Sequence, residues 1–223
     1  MSKEPSRRLD QFVDAAFAFS VTLLVISDGA PDSIEALLDA LLRAPAFAIS
    51  FSLIAMFWLA HREYGRLIDH RSGLATALSL AIVFTVLVYV FPLRVLSESA
   101  LHALSGGVLR GRYLLNSFDD LRTLYAVYAS AFVVLSTLFV LLFATVVAAL
   151  PEGENVARAR EWRRTMGVLL IAGLLSGILS FALPLDQIPW APGVVYGLIP
   201  IGIGAASVFA AGERAARRAR VVK

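Results

Sequence analysis

The sequence predicts an all-α integral membrane protein with six transmembrane helices in one domain, residues 1–223, and three observations carry that reading. Of the 223 residues 58% are apolar and 17% charged, against roughly 45–50% and about 25% for an ordinary soluble domain. Mean hydropathy is correspondingly high, +0.75. Six stretches come close to the roughly 20 apolar residues that a helix needs to cross the hydrocarbon core.

The first stretch, near 9–27, lies in "RRLDQFVDAAFAFSVTLLVIS". Its uninterrupted apolar part, Ala15 to Ile26, is shorter than a crossing, so the span must take in the turns that carry Asp10 and Asp14. A basic head before an apolar run resembles a secretory signal, but the two aspartates break that pattern and further spans follow, which makes it a retained helix.

Spans near 44–61, 73–96, 122–150 and 165–183 reach the length without charged residues in their middles. Gly167, Gly173 and Gly177 in the fifth allow a neighbouring helix to come close. The sixth, near 191–212, follows the Pro-rich turn "LPLDQIPWAPG", where Trp190 is placed as an interfacial anchor. Gly197, Pro200, Gly202 and Gly204 predict that this span is kinked and closely packed. The longest connection, 97–121, reads as a linker.

Orientation follows from where the basic residues fall. Fifteen of the 20 Lys and Arg lie in the N-terminal tail, 62–71, 152–164 and 213–223, all on one side of a six-span chain. The other five, Arg43, Arg94, Arg110, Arg112 and Arg122, fall on the opposite side. The positive-inside rule then puts both termini in the cytoplasm of a multi-pass protein of the cell (plasma) membrane. Basic residues clustered between spans give no nucleic-acid footprint.

Catalysis finds little support. Cysteine is absent, which removes thiolate nucleophiles, thiolate metal sites and disulfides. The sequence contains no phosphate-binding loop, Gly-x-Ser-x-Gly elbow, His-Glu-x-x-His or acidic calcium loop. His61, His70 and His102 are too scattered for a metal centre, and no enzyme, metal or cofactor is expected.

The informative residues are ionisable groups at span edges, since such groups in a membrane usually face protein or a water path. At about 100° per residue, Phe12, Ala15, Ala16, Thr22, Leu23 and Ile26 fall within roughly 60° of Phe19 and form one apolar stripe with a single hydroxyl. Asp14 lies about 140° away and Asp10 about 180° away, beside Phe17 and Val21. Either the aspartate face lines a proton or cation route, or it anchors the helix while the apolar face meets symmetry mates, other helices or lipid.

Residues 7–27 resemble the first helix of the transmembrane protein 175 family of potassium channels, whose signature is Arg-x-x-x-Phe-Ser-Asp before an apolar, Thr-containing helix. Arg8, Phe12 and Asp14 take the signature positions, and Val13 stands where the family has Ser. "SFSLIAMFWLAHREYGRLI" at 50–68 is similar to the family's second helix, with Phe57, Trp58 and His61 as its Phe-Trp-x-x-His, and the third span running to Phe91-Pro92 is also similar. The resemblance covers about the first hundred residues.

It implies a homotetramer in membrane lipid, with four first helices around a central pore that passes monovalent cations, potassium by selection, without cofactor. The filter would be stacked apolar side chains rather than carbonyl rings. It falls on Phe19, where the family usually has Ile or Leu, with Leu23 and Ile26 as further layers and Thr22 as the hydroxyl between them. Arg8, Asp14, Trp58 and His61 become a structural polar network at the cytoplasmic end. Four Phe19 rings at one level would act as a hydrophobic gate. Two alternatives follow from the same residues: a non-conducting membrane scaffold of this fold, and a proton-coupled transporter using Asp14 and His61, although the internal repeats typical of transporters are missing.

Overall fold

The computed structural model describes residues 4–26, 29, 31–106 and 117–204. The elements, all helical among the described residues, are α1 (Glu4–Ile26), α2 (Ile34–Leu42), α3 (Ala44–Leu67), α4 (Gly73–Leu104), α5 (Phe118–Ala149), α6 (Glu154–Ala182) and α7 (Ala191–Gly197). Among the described residues five helices are long and apolar enough to cross a membrane: α1, α3, α4, α5 and α6. The protein is a multi-pass membrane protein.

Local chemistry sets several of the helix ends. After α1 the chain turns at Gly29, whose φ of +75° suits glycine and whose N–H donates to the Ile26 carbonyl at 3.0 Å. Ser33 caps α2 by accepting from the Ala36 N–H at 3.1 Å. Ser117 likewise accepts from Asp120 N–H, and Asp119 and Asp120 complement the dipole of the first turn, so α5 starts ahead of the apolar run near 122. α4 continues through Pro92 to Leu104, well past residue 96.

Two parts of the chain differ from the sequence reading. The link between the first two spans contains a helix, α2, whose Ile34, Leu37, Leu38, Leu41 and Leu42 are all exposed. The charged stretch 154–164, read as a loop, is the first three turns of α6. In the sixth stretch α7 ends at Gly197, Leu198 forms a turn, and helix resumes over 199–204. Residues 205–212 of that expected span lie outside the described residues, as do 107–116 of the 97–121 connection and the basic tail 213–223.

The core sits between α3, α4, α5 and α6 and is built on an aromatic ladder. Phe57 of α3 stacks on Phe139 of α5 at 5.5 Å between centroids and meets Phe132 edge-on at 5.9 Å. Phe143 continues the ladder to Tyr64 at 6.0 Å and to Trp162 of α6 at 5.9 Å. α5 and α6 approach through small residues: a Cβ on Gly173 would stand 3.3 Å from the Val133 backbone nitrogen, and one on Gly177 would stand 3.3 Å from Ala129 Cβ. Without a water-driven hydrophobic effect between helices in lipid, such close approach is a main source of association. Among the described residues a Cβ on Gly167 would meet nothing within 4 Å, whereas one on Gly202 would meet Val168 at 2.8 Å.

Candidate functional site

α1 packs on α3 and α4 and buries only one side. Val13, Phe17, Ser20 and Leu24 are at most 3% exposed, and their spacing of four, three and four residues is that of one helical face. The opposite side holds Phe12 and Phe19, each 55% exposed, and Ile26 at 58%. These three recur every seven residues, so they stand above one another along the helix. Thr22 is exposed beside them, and its hydroxyl donates to the Ala18 carbonyl at 3.1 Å. That bond uses the hydrogen and leaves lone pairs on the oxygen available to a cation. Leu23 is half-buried on the flank of the stripe.

Polar contacts hold the aspartate-bearing half of α1 to its neighbours. Trp58 Nε1–H of α3 donates to Asp14 Oδ1 at 2.8 Å, and the Arg62 guanidinium lies 5.5 Å over the Trp58 ring. One turn earlier, Asp10 accepts from Arg71, which precedes α4. The Arg71 side chain is 2% exposed and its guanidinium lies 5.1 Å over the ring of Tyr64. Gly65 makes room for this pair: a Cβ there would stand 2.9 Å from Arg71 Nη2 and 3.3 Å from Asp10 Oδ1.

Of the four residues expected to form a polar network, Asp14 and Trp58 are joined directly. His61 is buried and turns to α4, where Nε2 and Ser79 Oγ are 3.0 Å apart. Arg8 is exposed, and among the described residues no hydrogen bond or ion pair joins it to the other three. The cation that meets an α1 carboxylate is Arg71. Reading the sequence locally misses it, because its partner is 61 residues away. The available signal is an odd cation beside a Gly-containing helix end, opposite an unpaired Asp10.

The Trp58 bond can be isolated by substitution. Trp58→Phe keeps an aromatic ring but removes the donor, and the folded state should lose about 1 kcal/mol, read by thermal unfolding of the detergent-solubilised protein. Asp14→Asn retains an acceptor oxygen and should cost less. An equal loss from both would mean that the carboxylate acts through its charge rather than through this bond.

Residues 8–92 match the family model described as "Endosomal/lysosomal potassium channel TMEM175". A relative from Marivirga tractuosa, named "Potassium channel", is 33% identical over 101 residues, which is 45% of this chain and 40% of that protein. The match therefore spans less than half the length of that relative. The crystal structure of the potassium channel MtTMEM175, a threonine-to-alanine variant in complex with a nanobody–MBP fusion, superimposes with a TM-score of 0.76 at 23% identity, covering 91% of this chain and 93% of that one. The overall fold is thus that of the channel structure, and the part of the chain that matches the TMEM175 family model runs from the first turns of α1 to Pro92 of α4.

Proposed function

We propose that the protein is a potassium-selective cation channel, a homotetramer of six-span subunits in the cell (plasma) membrane with both termini cytoplasmic. Four copies of α1 surround the axis, and the permeant ion passes Phe19, Thr22, Leu23 and Ile26 without a cofactor. The observation that carries this reading is the exposed Phe12–Phe19–Ile26 stripe on a helix whose other face is packed and held by polar contacts. A helix fixed in that way presents its apolar side to something outside its own chain, and symmetry mates provide that surface. The potassium-channel names of the relative and of the similar structure agree.

In this arrangement the axis is lined by side chains that cannot replace a hydration shell, so passage depends on how wide and how wet the constriction is. Thr22 offers the one hydroxyl oxygen beside the apolar layers. The bulk of Phe19 favours a second reading, a pore held shut by dewetting or a scaffold that never conducts.

The experiment is potassium flux from proteoliposomes holding the purified chain, with its mass in detergent measured alongside. Tetramers that pass potassium in preference to sodium are expected. A monomeric particle, or silence in both wild type and Phe19→Ala, would overturn the channel. The proton-coupled alternative requires flux that follows a pH gradient and vanishes in Asp14→Asn; the bond to Trp58 gives Asp14 a structural role instead.

A further inference from the structure

The far end of α1 contains a feature that neither the apolar stripe nor the aspartate contacts use. Arg94 and Glu98 of α4 form an ion pair, Nε to Oε1 2.8 Å, with side chains only 9% and 1% exposed. A second nitrogen of the same guanidinium, Nη1, donates across to the backbone carbonyl of Leu24 in the last turn of α1. Ionisable groups buried within a membrane protein are costly and rarely lack a role. The i, i+4 spacing would let this pair close within α4 alone, without reaching α1.

We propose that Arg94, held by Glu98, is a positioning residue that fixes the last turn of α1 and thereby the faces that Leu23 and Ile26 present to the axis. The last four carbonyls of a helix have no partner within it. Ile26 is served by the Gly29 N–H, and Leu24 is served by Arg94. The guanidinium also sits at the negative end of the helix dipole, where a cation is favoured. Glu98 cancels its charge, so the contact adds no net positive charge beside a cation path.

The register agrees with this role. Leu24 is 14 residues after Asp10, and the two point within roughly 40° of each other on the helix. Arg71 and Arg94, just before α4 and in its second half, therefore hold α1 at two places on the side facing away from Phe19. Around the Leu24 contact, exposure changes sharply with angle: Leu24 is 1% exposed, whereas Val25 and Ile26 are 58%. A small rotation of this turn would replace Ile26 with a different side chain.

The clause about the axis rests on the channel reading; the pin itself does not. The test replaces both charges by apolar residues, Arg94→Leu with Glu98→Leu, because such an exchange often leaves global stability unchanged or improved. Hydrogen exchange of the purified full chain in detergent should be at least tenfold faster for amides of residues 21–26, with residues 8–16 unchanged. Potassium-to-sodium flux ratio should shift with it. Arg94→Lys, which keeps the pair but has no fork to bridge both partners, should show a smaller loss confined to the same turn and serves if the double variant does not fold. Uniform acceleration along α1, or none in residues 21–26, would overturn the proposal. Local acceleration in a protein that passes no ion with or without the pin would leave the pin standing and remove the channel reading.

Discussion

Phe19→Ala is expected to raise potassium flux through the reconstituted protein by about tenfold or more, equivalent to lowering the barrier by about 1.4 kcal/mol. The Phe19 ring is 55% exposed on a single chain, and in the proposed fourfold arrangement four such rings would meet at one level. A ring of aromatic faces admits little water, and a cation can cross such a constriction only by shedding hydration that nothing there replaces. Alanine removes the rings without disturbing the packed face of α1, since Val13, Phe17, Ser20 and Leu24 point elsewhere.

The accompanying expectation separates gate from filter. If Phe19 only closes the pore, Phe19→Ala keeps potassium preferred over sodium, because Thr22, Leu23 and Ile26 remain. If Phe19 itself discriminates, the flux rises and the ratio falls towards that of free diffusion. Phe19→Ile, which places there one of the residues usual in the family that α1 resembles, should fall between wild type and alanine in flux. Flux from wild type equal to that of Phe19→Ala would refute a gate at this position.

How much of this could be read from the sequence depended on range. The faces of α1 follow from angles along one helix, so the separation of Asp10 and Asp14 from Phe19 was legible, and the structure packs Phe17 and exposes Phe19 accordingly. Trp58 and Asp14 belong to two helices, and only the resemblance to a family joined them. In the sequence Arg71, in a loop, and Arg94, near a span end, report only orientation; in the structure both side chains are buried and donate to α1. For Arg94 a local signal existed, the i, i+4 spacing to Glu98 in a stretch without helix breakers after Pro92, but hydropathy alone ends the span near residue 96.

The same limit explains α2. Its apolar residues at 34, 37, 38, 41 and 42 and the Ser33 cap are a legible helix signature, yet the segment is too short to register as a crossing. Length, not pattern, hid it. Conversely the small residues of α5 and α6 could be read as packing residues without naming which would be in contact; Gly173 and Gly177 face α5 whereas Gly167 meets no described residue, a distinction that depends on where the two helices cross.

The largest loss of stability is expected from Phe139→Ala, about 2–3 kcal/mol. Phe139 has no exposed surface and lies between Phe57, stacked at 5.5 Å, and Phe143 at 6.5 Å. In a soluble core such a truncation costs roughly 3–5 kcal/mol, part of it transfer from water and part the cavity left behind. In lipid the transfer part shrinks, because the separated helices are already in an apolar medium, while lost van der Waals contact and the cavity remain. The ladder joins α3 to α5 and, through Phe143 and Trp162 at 5.9 Å, to α6, so one cavity loosens three helices. Phe139→Leu, which fills much of the space, should recover most of the loss, and Phe181→Ala, at a site 68% exposed, should cost almost nothing. Unfolding in detergent as denaturant is increased measures all three. A loss from Phe181→Ala equal to that from Phe139→Ala would show that the aromatic ladder is not what holds α3, α5 and α6 together.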